Sequence, residues 1–109
     1  MQNKNLKILS KSELGFISMP IGHNVLHLCF NNLLINFSLE DFLIFRDAVK
    51  YISQEKSYTS FPDGRKRILL HTPYDGIHFS FDPHELHELI ISLDEAYYMQ
   101  KIYSYLKTN

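Results

Sequence analysis

Apolar residues alternate with others on both sides of Asn31-Asn32: Leu26, Leu28 and Phe30 before it, Leu33, Ile35 and Phe37 after it. A period of two predicts strands over Val25 to Phe30 and Leu33 to Phe37 with these six side chains on one face. Asparagine tolerates the left-handed backbone that a two-residue hairpin loop requires. Phe30 is therefore expected opposite Leu33, Leu28 opposite Ile35 and Leu26 opposite Phe37. His27, Cys29, Leu34 and Asn36 fall on the other face. After Phe37 the period changes. Phe42, Phe45, Val49 and Ile52 recur at helical spacing behind Ser38, with Asp41 three residues on in a near-capping-box arrangement. This predicts a helix that ends near Gln54.

The same pattern returns 44 residues later. Leu26, Leu28, Phe30, Leu33 and Ile35 align with Leu70, Thr72, Tyr74, Ile77 and Phe79, and Phe37 to Phe42 align with Phe81 to Leu86. Asp75-Gly76 is a strong two-residue turn signal. By the same arithmetic Tyr74 pairs with Ile77, Thr72 with Phe79 and Leu70 with Phe81, leaving Leu69, His71, Pro73, His78 and Ser80 outward. Pro73 has no amide hydrogen, so its strand is expected to be an edge or to turn the missing donor outward. Asp82, Pro83 and Glu85 supply a cap, a first helical residue and the acid of a capping box. Leu86, Leu89, Ile90, Leu93 and Ala96 then form an inward stripe. Beyond Ala96 the helix becomes apolar nearly all round, a pattern that calls for more than one neighbour.

Ahead of the first repeat, Leu6 to Ser10 and Phe16 to Met19 read as two short strands around a turn at residues 12–15, and residues 1–5 as a frayed end. Pro20 and Gly22 break the chain, and residues 55–64 form a polar connection closed by Pro62-Asp63-Gly64. The expected architecture is one α+β domain over residues 1–109, with repeats at about 25–54 and 69–106. It consists of an N-terminal β-hairpin followed by two ββα units, making an antiparallel sheet with two helices on one face.

Composition narrows the function classes. A net charge of −1 offers no electrostatic basis for a nucleic-acid or anionic-membrane partner. The single cysteine, Cys29, cannot form an intramolecular disulfide and suits a reducing compartment. No apolar stretch is long enough to span a membrane or to serve as a signal peptide. The expectation is a cytoplasmic chain.

The candidate chemistry is sparse. His27, Cys29, His71 and His78 share the outward faces of the two hairpins, and would form a nitrogen–sulfur cluster suited to zinc if those hairpins adjoined in one sheet. No zinc-type ligand spacing accompanies them, so a solvated or interface face is the stronger expectation and no metal is assigned. His84 and His87 lie three apart, without the i, i+4 spacing and intervening glutamate of a metalloprotease helix. Arg65-Lys66-Arg67 reads as a solvated strand end. There is no phosphate-binding glycine loop, no activated nucleophile and no carboxylate pair that the sequence places in a cleft. No catalytic residue and no cofactor are expected.

The tyrosine-rich end of the last helix is the stronger surface. Tyrosine and methionine are enriched at protein interfaces, where one end of the ring stays wet. Tyr97, Tyr98, Ile102 and Tyr105 are expected to form an interface. The functional expectation is a small non-catalytic interaction module, a homodimer. The alternative is a ligand- or metal-binding domain using the outward sheet face.

The run from Leu26 to Phe42, with the preceding Ser-Glu-Leu-Gly-Phe segment and Arg65-Lys66, resembles the core motif of a family of small uncharacterised bacterial proteins. The resemblance covers most of the chain and rests on structural motifs. Many members of that family carry a Cys-x-x-Cys-Gly stretch around the position of Met19 to His23; this chain has no cysteine there. The family has no established activity, so the resemblance implies a fold neighbourhood and no reaction.

Overall fold

The structure, a computed structural model, describes residues 6–107; the expected frayed segment 1–5 lies outside the described residues. The first alternating segments form the strands β1 (Leu6–Ser12), β2 (Gly15–Pro20), β3 (Val25–Phe30) and β4 (Leu33–Ser38). They build a four-stranded antiparallel sheet in the order β1-β2-β3-β4. The β3–β4 register is the expected one, with Leu26 opposite Phe37, Leu28 opposite Ile35 and Phe30 opposite Leu33. Asn31 supplies the left-handed residue of the turn, with φ of 53°. Its amide donates to the carbonyl of Leu14, which ties this turn to the β1–β2 turn. Gly15, at the start of β2, runs so close to β3 that a Cβ there would collide with the carbonyl oxygen of Cys29. Only glycine permits that approach.

Ser38 caps helix α1 (Leu39–Glu55), its Oγ accepting from the Asp41 amide at 3.1 Å. Phe42 and Val49 are fully buried, and Phe45 and Ile52 pack against them. The helix ends one residue beyond Gln54, and Lys56 turns the chain with φ of 55°.

The second hairpin departs from expectation in two ways. A further strand, β5 (Tyr58–Ser60), lies in what the sequence presents as a polar connection, and the Pro62-Asp63-Gly64 turn joins it to β6 (Lys66–His71). Together with β7 (His78–Phe81) these form a separate three-stranded sheet, β5-β6-β7. The single expected sheet is thus two. With β5 on one edge of β6 and β7 on the other, β6 has no free edge with which to join the first sheet.

The β6–β7 register is also displaced by two residues. Leu70 faces Phe79 and Ile68 faces Phe81, in place of the expected pairs of Leu70 with Phe81, Thr72 with Phe79 and Tyr74 with Ile77. Asp75-Gly76 still occupies the centre of a turn, closed by the Ile77 amide donating to the Tyr74 carbonyl. The ladder, however, stops at His71–His78. Beyond that pair the Thr72 amide still donates to the Ile77 carbonyl, and Thr72 Oγ1 donates to the same carbonyl and accepts from the Tyr74 amide, so residues 72–77 close as a compact loop and not as two further rungs. Pro73, beside it, has no amide to offer a ladder. A shift of two preserves the faces. Ile68, Leu70, Phe79 and Phe81 therefore still point inward, and His71, His78 and Ser80 outward.

Helix α2 (Pro83–Lys107) starts with the expected capping box: the Glu85 amide donates to Asp82 Oδ1 at 2.8 Å and the Asp82 amide to Glu85 Oε1 at 2.9 Å. The α+β architecture with its N-terminal hairpin stands. Each helix touches both sheets: α1 packs on β3, β4 and β6, and α2 on β1, β2 and β7, while the two helices also pack on each other. The buried side chains of both sheets and both helices form one cluster. Phe30 of β3 meets Phe81 of β7 edge to face at 6.4 Å, which joins the two sheets, and Phe45 of α1 meets Phe79 of β7 at 6.0 Å, which joins the helix to the second sheet. Among the described residues no helix is long and apolar enough to cross a membrane.

Candidate functional site: the outward face of helix α2

Two series of residues run along α2 at alternating spacings of three and four. Leu86, Leu89, Leu93, Ala96, Gln100 and Tyr103 form the inner series, buried except for the half-buried Tyr103. The opposite side carries Glu88, Ile91, Glu95, Tyr98, Ile102 and Tyr105 with the same spacing. Here Ile91 is 48% exposed, Tyr98 57%, Ile102 49% and Tyr105 74%. Leu106, beside the series, is exposed as well. The all-round apolar character read from the sequence thus resolves into a buried seam and an exposed one, on opposite sides of one helix.

The flanks of α2 are occupied. On one side lies α1, held by a carboxylate between two cations: Asp94 Oδ1 accepts from Arg46 Nε at 2.8 Å and from Lys50 Nζ at 3.1 Å. Arg46 and Lys50 are one helical turn apart on α1, so both reach the same acid. Burial works against the charged form of Asp94, but the hydrogen bonds from Lys50 and Arg46 outweigh it and hold its pKa below the ordinary 3.8. The Arg46 guanidinium also lies 4.2 Å from the centre of the Tyr97 ring, and Lys101 Nζ 5.1 Å from it. Tyr97, half-buried, therefore belongs to the α1–α2 contact, whereas Tyr98, Ile102 and Tyr105 face outward. On the other side Lys7 of β1 sits over the Tyr103 ring at 4.2 Å.

The four outward hairpin residues are divided between the two sheets. His27 and Cys29 lie on β3, where His27 Nδ1 is 2.5 Å from Asn36 Oδ1. Their neighbours on that face include exposed Ile8, Phe16, Val25 and Leu34. His71 and His78 face each other across β6 and β7, with Nδ1 atoms 2.9 Å apart and rings edge to face at 4.4 Å. Because of the two-residue register shift, His71 sits opposite His78 as Cys29 sits opposite Leu34, so its counterpart in the first hairpin is Cys29 rather than His27. Among the described residues no three His, Cys, Asp or Glu side chains are grouped to hold a metal ion. The geometry keeps the His71–His78 pair and does not assemble the four together.

Two features escaped the sequence reading. Asp94 reads as one more surface acid on α2, and only the packing of α1 shows that it receives two cations. A groove of about 570 Å³ between the end of β2, residues 21–24 and the last turns of α2, lined by Lys7, Met19, His23 and Tyr103, has no signal at all in the local pattern.

A family model described as a family of unknown function, DUF6686, matches residues 1–109. No curated protein and no solved structure matches the chain. The chain belongs to this family of unknown function, DUF6686.

Proposed function

We propose that the protein is a small non-catalytic interaction module that self-associates through the outward face of α2, as a cytoplasmic homodimer. The observation that carries this reading is the exposed seam of Ile91, Tyr98, Ile102 and Tyr105 on the side of α2 opposite its own core. Exposed large apolar side chains recurring along one side of a helix, interrupted by Glu95 and bordered by Glu88 and Lys101, have the mixed character of a protein interface. A spacing of three and four repeated along the seam suits a second helix packed alongside. Tyr98→Glu or Ile102→Glu places a charge in that seam and is expected to give a folded monomer by light scattering. Variants that keep the mass of the unmodified protein contradict the assignment of this face.

A second reading is favoured by the geometry of His71 and His78. Their 2.9 Å Nδ1 separation is close to the edge between adjacent nitrogens around a metal bonded at about 2.0–2.1 Å with an angle near 90°. The contact is a hydrogen bond between the two exposed rings, so a two-nitrogen chelate for a tetragonal ion such as copper(II) requires the ion to displace the shared proton. Titration of protein purified without a histidine tag is expected to show copper(II) uptake that His71→Ala abolishes. Uptake that is absent, or indifferent to His71→Ala, ends this reading.

A further inference from the structure

Gln100 interrupts the inner side of α2. Leu86, Leu89, Leu93 and Ala96 precede it on that side and are all apolar, yet Gln100 is also buried, at 7% exposed. Its side-chain amide makes no hydrogen bond among the described residues. A polar group withdrawn from water without a partner costs stability, so an amide kept at such a position calls for something to meet it. Gln100 borders the groove of about 570 Å³ between the end of β2 and the last turns of α2. We propose that this groove binds a small amphipathic carboxylate, with Gln100 and Lys7 holding the acid group and Met19, Ile21 and Leu106 the apolar body.

The sheet register and the helix period bring the polar groups together. Lys7 of β1 lies opposite Met19 of β2, so both side chains fall on the same side of the sheet. There Lys7 Nζ sits 4.2 Å from the centre of the Tyr103 ring. Tyr103 follows Gln100 by three residues, so the two project from one side of α2. The cation and the buried amide therefore border the same space. The ring holds the ammonium but supplies no counter-charge, and Lys7 forms no ion pair among the described residues. Its remaining donors and those of the Gln100 amide suit the two oxygens of a carboxylate.

The rest of the lining fits the same ligand. Half-buried Met19 and exposed Ile21 and Leu106 give it apolar walls, together with the Tyr103 ring. No acidic residue lines the groove, so an anion meets no repulsion there, and His23 stands at its edge. One held cation matches the single charge of a carboxylate better than the nearly double charge of a phosphate ester. The volume lies within the range of small-molecule sites. None of Ile91, Tyr98 and Ile102 lines the groove, so the inference stands apart from the self-association reading.

Octanoate is the probe and 1-octanol its uncharged counterpart, each titrated into the 109-residue chain and followed by backbone amide NMR shifts. Saturable shifts at residues 21–24 and 100–106, with tighter binding of octanoate than of 1-octanol, are expected. Lys7→Gln is expected to weaken octanoate about fivefold and to leave 1-octanol unchanged. Gln100→Leu continues the apolar series, so it is expected to raise stability to denaturant while weakening octanoate. The absence of saturable shifts, or shifts centred on Ile91, Tyr98 and Ile102, overturns the proposal. So does equal affinity for the two probes, or octanoate binding that neither substitution alters. The mass of Ile102→Glu by light scattering reports on self-association separately from all of these results.

Discussion

Asp94 shows how much one side chain can add once two helices are packed. Its carboxylate holds Arg46 and Lys50 of the neighbouring helix, and the cluster is partly shielded, with the Arg46 side chain only 14% exposed. Asp94→Asn is expected to cost about 1 kcal/mol at neutral pH, the upper range for an exposed pair. The folded pKa is depressed, so the stabilisation is complete above the ordinary value of 3.8 and is lost as pH falls through the folded pKa. Denaturant titrations should therefore show a gap between the two proteins that is constant from neutral pH to about pH 5 and narrows below 3.8. A gap that persists unchanged into the acid range would show that the loss is one of packing, not of charge.

Among the elements, the start of α2 is the most completely specified. Asp82 and Glu85 bond each other's amides, and Asp82 Oδ2 also receives Arg65 Nη2 at 2.5 Å, which ties the helix start to the strand-end cations ahead of β6. Asp82→Ala is expected to lower stability by about 1–2 kcal/mol, measured by chemical denaturation. Arg65→Ala should cost less, because Arg65 is largely exposed and the cap itself remains. Equal losses would mean that the ion pair, not the cap, holds the helix start.

Legibility also differed from element to element. The first hairpin could be read to the residue, because six alternating apolar side chains and a two-residue turn leave one register. The caps and inner faces of both helices were equally open to local rules. The second hairpin misled by two residues because Asp75-Gly76 looks like a two-residue loop, whereas residues 72–77 together form the compact connection, closed by both the amide and the side chain of Thr72 on the Ile77 carbonyl. Strand β5 stayed hidden because three exposed residues, Tyr58 to Ser60, carry no alternation. Of the proposed interface residues, periodicity could not tell which of Tyr97 and Tyr98 faces a neighbour within the chain, because the helix beyond Ala96 is apolar nearly all round. The placement of α1 separates them.

For the whole molecule, the two sheets and two helices share one buried cluster, and one side of α2 is left out of it. A 25-residue helix that is apolar on two opposite sides has more apolar surface than its own chain covers. Membership of a family of unknown function supplies no partner for that side.

The most direct test is the mass of the unmodified protein in solution, measured by light scattering over a dilution series at neutral pH. The self-association account predicts twice the 12.9 kDa chain mass at high concentration, falling toward the chain mass on dilution if the pair is weak. A constant 12.9 kDa up to the highest concentration reached would contradict it.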